Sequence, residues 1–94
     1  MPRFIAVHTM PLTEADLTAT AQKVSGLPAG IAWKLTYCDF ADNKFFCEWE
    51  APNKEAIEQV FKANNMPFDA IYPVQLFNVA KAELESLQEV LWGT

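Results

Sequence analysis

IAWKLTYCDFADNKFFCEWEAP, residues 31–52, decides the fold. Two aromatic-rich runs of alternating pattern flank a short polar turn at Ala41-Asp42-Asn43, and the second run ends on an Ala-Pro-Asn helix start. That is the signature of a β-hairpin leading into a helix. A three-residue turn centred on Asp42 places Lys34 opposite Glu50, Thr36 opposite Glu48 and Cys38 opposite Phe46. Trp33, Leu35, Tyr37, Phe45, Cys47 and Trp49 then share the other face. This register separates charge from apolar surface and pairs a lysine with a glutamate. A two-residue turn at Asp42-Asn43 shifts the pairing by one and sets Cys38 across from Cys47; no glycine marks a primed turn.

Upstream, Arg3 to Thr9 alternates Phe4, Ala6 and His8 against Ile5 and Val7, a strand with two apolar faces. Pro11 ends it. Thr13 is placed as a helix N-cap, with Asp16 completing a variant capping box and Leu12 and Leu17 at the spacing of a hydrophobic staple. Leu17, Ala21 and Val24 continue the stripe to a stop at Gly26. Downstream, Asn53 caps a second helix with Ala56, Ile57, Val60 and Phe61 on its buried side, stopped by Asn64-Asn65 and Pro67. Tyr72 to Val79 reads as a last strand, whose Pro73 points to an edge. Residues from about 81 to 92 read as a third amphipathic helix carrying Leu84, Leu87 and Leu91.

The order β-α-β-β-α-β plus a terminal helix predicts an α+β, ferredoxin-like sandwich, a four-stranded antiparallel sheet with two helices on one face. Residues 1–94 are expected to form a single domain, with its core in 2–79. The other sheet face stays partly apolar. It is expected to pack on a second copy, on the C-terminal helix or on a ligand, a homodimer being the simplest of these.

Composition narrows the function. The chain has 94 residues, 51% hydrophobic and 13% aromatic, enough for a core without disulfides or structural metal. Its net charge is -5, and its seven Lys and Arg residues are scattered, which argues against nucleic acid and anionic membrane partners. No run approaches the ~20 apolar residues of a membrane span. The N-terminus lacks the apolar stretch of a signal peptide. A cytoplasmic protein with two free thiols is expected.

His8 is the only histidine. If Ile5 and Val7 face the helices, it points to the open face. Glu48 and Glu50 share one face of a neighbouring strand, so one or both carboxylates are candidates to join His8 as ligands of a divalent transition metal. Otherwise Glu50 pairs with Lys34 and Glu48 is solvated. Cys47 offers a thiolate for a borderline metal, or else is a packed, inert thiol; Cys38, nearer the turn, is the accessible one. Trp33 and Tyr37 are candidate walls of a pocket for a flat apolar molecule. No zinc spacing, phosphate-cradling glycine loop or catalytic constellation is visible, so binding is favoured over catalysis.

Ala6-Val7-His8, the spacing from Trp33 through Tyr37 to Phe46-Cys47, and the run Glu50-Ala51-Pro52-Asn53-Lys54-Glu55-Ala56 resemble the small bacterial nickel-binding ferredoxin-like proteins. The likeness covers about residues 2–79, and its most specific part is the Phe-Cys-x-x-Glu-Ala-Pro block. It implies a dimer and binding of nickel or another divalent transition metal, with His8 the first ligand to carry over and Cys47, Glu50 and Tyr37 after it. One departure stands out. Family members often carry histidines on both helices; here the first helix has none, and the second reads Val60-Phe61-Lys62-Ala63-Asn64-Asn65. Three functions therefore remain open: a dimeric metal-binding protein, an αβ-barrel-type enzyme or carrier for a small aromatic or lipophilic molecule, and a dimerisation module without ligand.

Overall fold

The computed structural model describes residues 2–24 and 26–85. In chain order it holds β1 (Arg3–Thr9), α1 (Glu14–Lys23), β2 (Ala32–Asp39), β3 (Lys44–Glu50), α2 (Lys54–Ala63), β4 (Ala70–Val74), β5 (Leu76–Asn78) and β6 (Glu83–Glu85). The first four strands make an antiparallel sheet in the order β2-β3-β1-β4. Two interleaved β-α-β crossovers result, and both helices lie over the same face. Phe4, Ala6, Cys47, Trp49 and Ile71 on that face pack with Ile57, Val60 and Phe61 of α2 in one buried cluster. Trp33 stacks on Trp49, and Phe61 meets Trp49 edge-on.

Both helices start where their caps demand. The Thr13 hydroxyl accepts from the Asp16 amide while the Asp16 carboxylate accepts from the Thr13 amide, satisfying two donors that the first turn leaves orphaned. Asn53 accepts from the Ala56 amide at α2. At the end of α2, Asn65 takes φ +53°, a left-handed position that asparagine tolerates. The Asn65 amide then bonds back to the Lys62 carbonyl and the Met66 amide to that of Phe61. This closure reverses the chain and delivers Met66 and Pro67 to the sheet.

The hairpin register differs from both sequence readings. Asp39 pairs with Lys44, Cys38 with Phe45, Tyr37 with Phe46 and Thr36 with Cys47. Residues 40–43 form a four-residue loop, stabilised by the Asp42 amide donating to the Asp39 side chain and by Asn43 at φ +56°. A bulge between Trp33 and Leu35 then brings Trp33 opposite Trp49. As a result Leu35 and Tyr37 lie on the open face, away from Cys47. Lys34 sits in the bulge, exposed, and Glu50 stands opposite Ala32.

The faces of β1 are also reversed relative to the conditional reading. Phe4, Ala6 and His8 are buried under the helices, whereas Ile5 and Val7 look outward. Pairing with β3 is the reason: Ile5 lies opposite Glu48 and Arg3 opposite Glu50, so the Ile5 face carries the carboxylates and must be the wet one. There Arg3 Nε stands 3.2 Å from Glu48 Oε2, so Glu48 is ion-paired and not merely solvated.

The last strand breaks in two. β4 ends at Val74, with Pro73 on the sheet edge opposite Phe4. β5 then leaves to pair with β6 as a separate hairpin. Residues 81–85, expected to open a third helix, form turn and strand; the rest of that expected helix lies outside the described residues.

Replacing Asn53 by Ala is expected to cost about 1 kcal/mol of stability through loss of the cap. Asn65→Val is expected to cost about 1–2 kcal/mol and Asn65→Gly little, since a β-branched side chain resists the left-handed position. Urea unfolding monitored by tryptophan fluorescence reads all three.

Candidate metal centre

His8 is only 4% exposed. Its Nδ1 lies 2.8 Å from the Pro67 carbonyl oxygen. A carbonyl can only accept, so Nδ1 carries a proton and, in the neutral ring, Nε2 keeps the lone pair. The ring is clamped edge-on against Phe61 at 5.0 Å between centroids. An imidazole held this way has the orientation that a metal ligand requires: one nitrogen committed to backbone, the other free to donate.

Cys47 shares that face. It pairs with Ala6 while His8 pairs with Phe45, so the two are diagonal neighbours on adjacent strands. Both line a cavity of about 60 Å³ between α1 and the sheet, with Met10, Leu17, Trp33 and Met66 among its other walls. The Trp33 indole N–H donates to the Thr36 hydroxyl at 2.8 Å, and that hydroxyl donates to Cys47 Sγ at 3.3 Å. Burial pushes the Cys47 thiol above its usual range; the Thr36 hydrogen bond works against this, and the neighbouring Cys38 adds a small upward push. Cys38 itself is exposed.

The other sequence candidates fall elsewhere. Glu48 and Glu50 project from the opposite face of β3 with Phe46, so the sheet separates them from His8. Tyr37 is 63% exposed on that same open face, and Trp33 is under α1, so the two do not wall one pocket. A larger open groove of about 440 Å³ runs between the loop through Leu27 and α2, but it contains neither of them. Sequence reasoning gave Met10 no role and left the Met66-Pro67-Phe68-Asp69 corner open between turn-making and function. Thioethers in connecting segments carry no periodic signal; only their places just after the His8-Thr9 strand end and the Asn64-Asn65 helix stop hint at a shared site.

Comparison with known proteins agrees with this architecture. The chain belongs to the SCO4226-like family of nickel-responsive proteins, whose profile matches residues 4–74. The crystal structure of SCO4226 from Streptomyces coelicolor A3(2) superposes with a TM-score of 0.69 at 23% identity, over 79% of this chain and 96% of that one. At that identity the likeness speaks for the fold alone. No curated protein matches.

Nickel(II) takes square-planar or tetragonal nitrogen and oxygen sets. One imidazole and one thiol fall short of that, and among the described residues no three His, Cys, Asp or Glu side chains converge on one point. The donors that the described residues of a single chain bring together therefore do not compose a nickel shell.

Because folded Cys47 keeps its proton to higher pH than the unfolded thiol, its contribution to stability is fully present below the unfolded thiol's titration. It fades as pH rises from there through the folded value. Reduced protein is expected to lose stability on the alkaline side, and Cys47→Ala to flatten that slope in urea unfolding at stepped pH. With iodoacetamide at neutral pH, Cys38 is expected to react on the order of tenfold faster than Cys47, or more, as read by mass mapping of the alkylated peptides.

Proposed function

We propose that this chain is a small, dimeric binding protein of ferredoxin-like fold that holds one transition-metal ion per chain in the cavity between α1 and the sheet. The observation that carries this reading is His8: buried, fixed through Nδ1 to the Pro67 carbonyl, and sharing its cavity with Cys47. Nickel is the metal that the family's description names. On this chain it would need further donors from water or a second copy. The strand order β2-β3-β1-β4 and the two crossovers support the ferredoxin-like reading.

The dimer is supported by the open sheet face, where Leu35, Tyr37, Phe46 and Tyr72 are exposed beside Ile5 and Val7. Apolar surface gathered on one face in this way marks an interaction site more often than not. Two unbridged cysteines fit a reducing, cytoplasmic setting. Among the described residues no helix is long and apolar enough to cross a membrane. A pocket for an aromatic or lipophilic molecule is less well supported. The enclosed cavity of about 60 Å³ is far below the roughly 300–1,000 Å³ of such pockets, and the larger grooves beside Trp33 and α2 lie open to solvent.

Native mass spectrometry of untagged protein, exposed in turn to Ni(II), Zn(II) and, under anaerobic reduction, Cu(I), tests the reading. A dimer that retains one ion per chain, lost in His8→Gln, is the expected result. Retention of none of the three ions overturns the metal assignment, and monomer masses throughout overturn the dimer.

A further inference from the structure

We propose that the cavity under α1 is a soft-metal site for a monovalent copper ion, held by Cys47 Sγ, His8 Nε2 and the thioethers of Met10 and Met66. This rests on the metal-binding reading above and names the ion.

The donor set comes first. All four residues line one cavity, and they reach it from separate parts of the chain: His8 from β1, Met10 from the connection into α1, Cys47 from β3 and Met66 from the reversal after α2. Thiolate and thioether sulfur select Cu(I), while carboxylate and water suit harder ions. Three of the four donors are sulfur. Both carboxylates once paired with His8 lie through the sheet, and Glu48 is committed to Arg3.

Charge decides between ions of similar size. The donors carry one ionisable proton that a metal would displace, that of Cys47. Binding writes as Cu(I) plus thiol giving the copper thiolate and one proton, which leaves to solvent; copper stays monovalent throughout. The product inside the cavity is neutral. A divalent ion on the same donors leaves one positive charge uncompensated against Leu17, Trp33 and Phe45, a situation that burial penalises heavily. Nickel and zinc are disfavoured on this count even before their coordination number is considered.

Size and support agree. About 60 Å³ is roughly two waters' share of liquid volume, suited to a bare ion and its sulfur contacts. The Pro67 carbonyl fixes the His8 tautomer, and the Trp33–Thr36 relay ends in the Thr36 hydroxyl donating a hydrogen bond to Cys47 Sγ. Such outer partners orient ligands and stabilise the charge of a thiolate once it forms.

The experiment uses the intact chain with Cys38→Ser, so that the exposed thiol does not compete. Cu(I) is supplied anaerobically and its affinity read by competition with bicinchoninate. One copper per chain, an ultraviolet thiolate-to-copper band lost in Cys47→Ser, and weakening of about tenfold or more in the Met10→Leu, Met66→Leu double variant are expected. Unchanged affinity in the double variant overturns the proposal, as does Ni(II) displacing Cu(I) at equal concentration. X-ray absorption on the copper form of the Cys38→Ser protein needs no further variant. A sulfur-dominated shell supports the site; a shell of nitrogen and oxygen alone overturns it. Nickel or zinc bound in preference to copper would leave the broader metal reading standing while sinking this one. Failure of every ion would sink both.

Discussion

Pairing of β1 with β3 in the register that sets Ala6 against Cys47 is the constraint on which the rest of the structure depends. β3 is sharply two-sided: Phe45, Cys47 and Trp49 are buried, while Phe46, Glu48 and Glu50 are not. β1 is not two-sided in the same way, since either of its faces could be covered. Slipping the pair by one residue would drive Glu48 and Glu50 beneath α2, where nothing compensates their charge. The carboxylates of β3 therefore choose the face of β1. That choice puts His8 inside, leaves Arg3 outside to meet Glu48, and makes room above Ala6 for Ile57 and Phe61.

Much of this could be read from the chain before any coordinates. The first strand, both N-caps, the capping box at Thr13, the stripe of α2 and the alternation of β3 each rest on local rules that tertiary contacts had no reason to override. The loop through Asp42 was not legible in the same way. Without glycine to name a turn type, loop length was open, and a bulge beyond it moved Trp33 and Tyr37 to opposite faces. His8 was misplaced because its own strand does not say which side is wet; that information sits in Glu48 and Glu50 and becomes usable only with the register. At Glu83-Leu84-Glu85 a leucine between glutamates satisfies a period of two as readily as one of 3.6. Those three residues, expected to lie in a helix, form a strand.

His8 also shows how a structural role and the proposed ligand role would coincide. A buried imidazole needs a partner, and the Pro67 carbonyl supplies one. The same bond determines which nitrogen is left over. Cys47 is similar: the hydroxyl that satisfies its sulfur also points it. In both cases the packing that makes the residue unremarkable as core is what would hold it for the metal binding proposed above, and the left-handed Asn65 that delivers Pro67 belongs to that packing.

The bulge in β2 and Pro73 in β4 have one more consequence, because they occupy the two outer strands of the sheet. A kinked strand offers a broken row of donors and acceptors, and a proline offers no donor at its own position. Neither border presents the flat template on which further strands add, which is how cross-β polymers begin. Crowding these molecules therefore promotes meetings between sheet surfaces and hinders the border-to-border zipping that seeds fibrils.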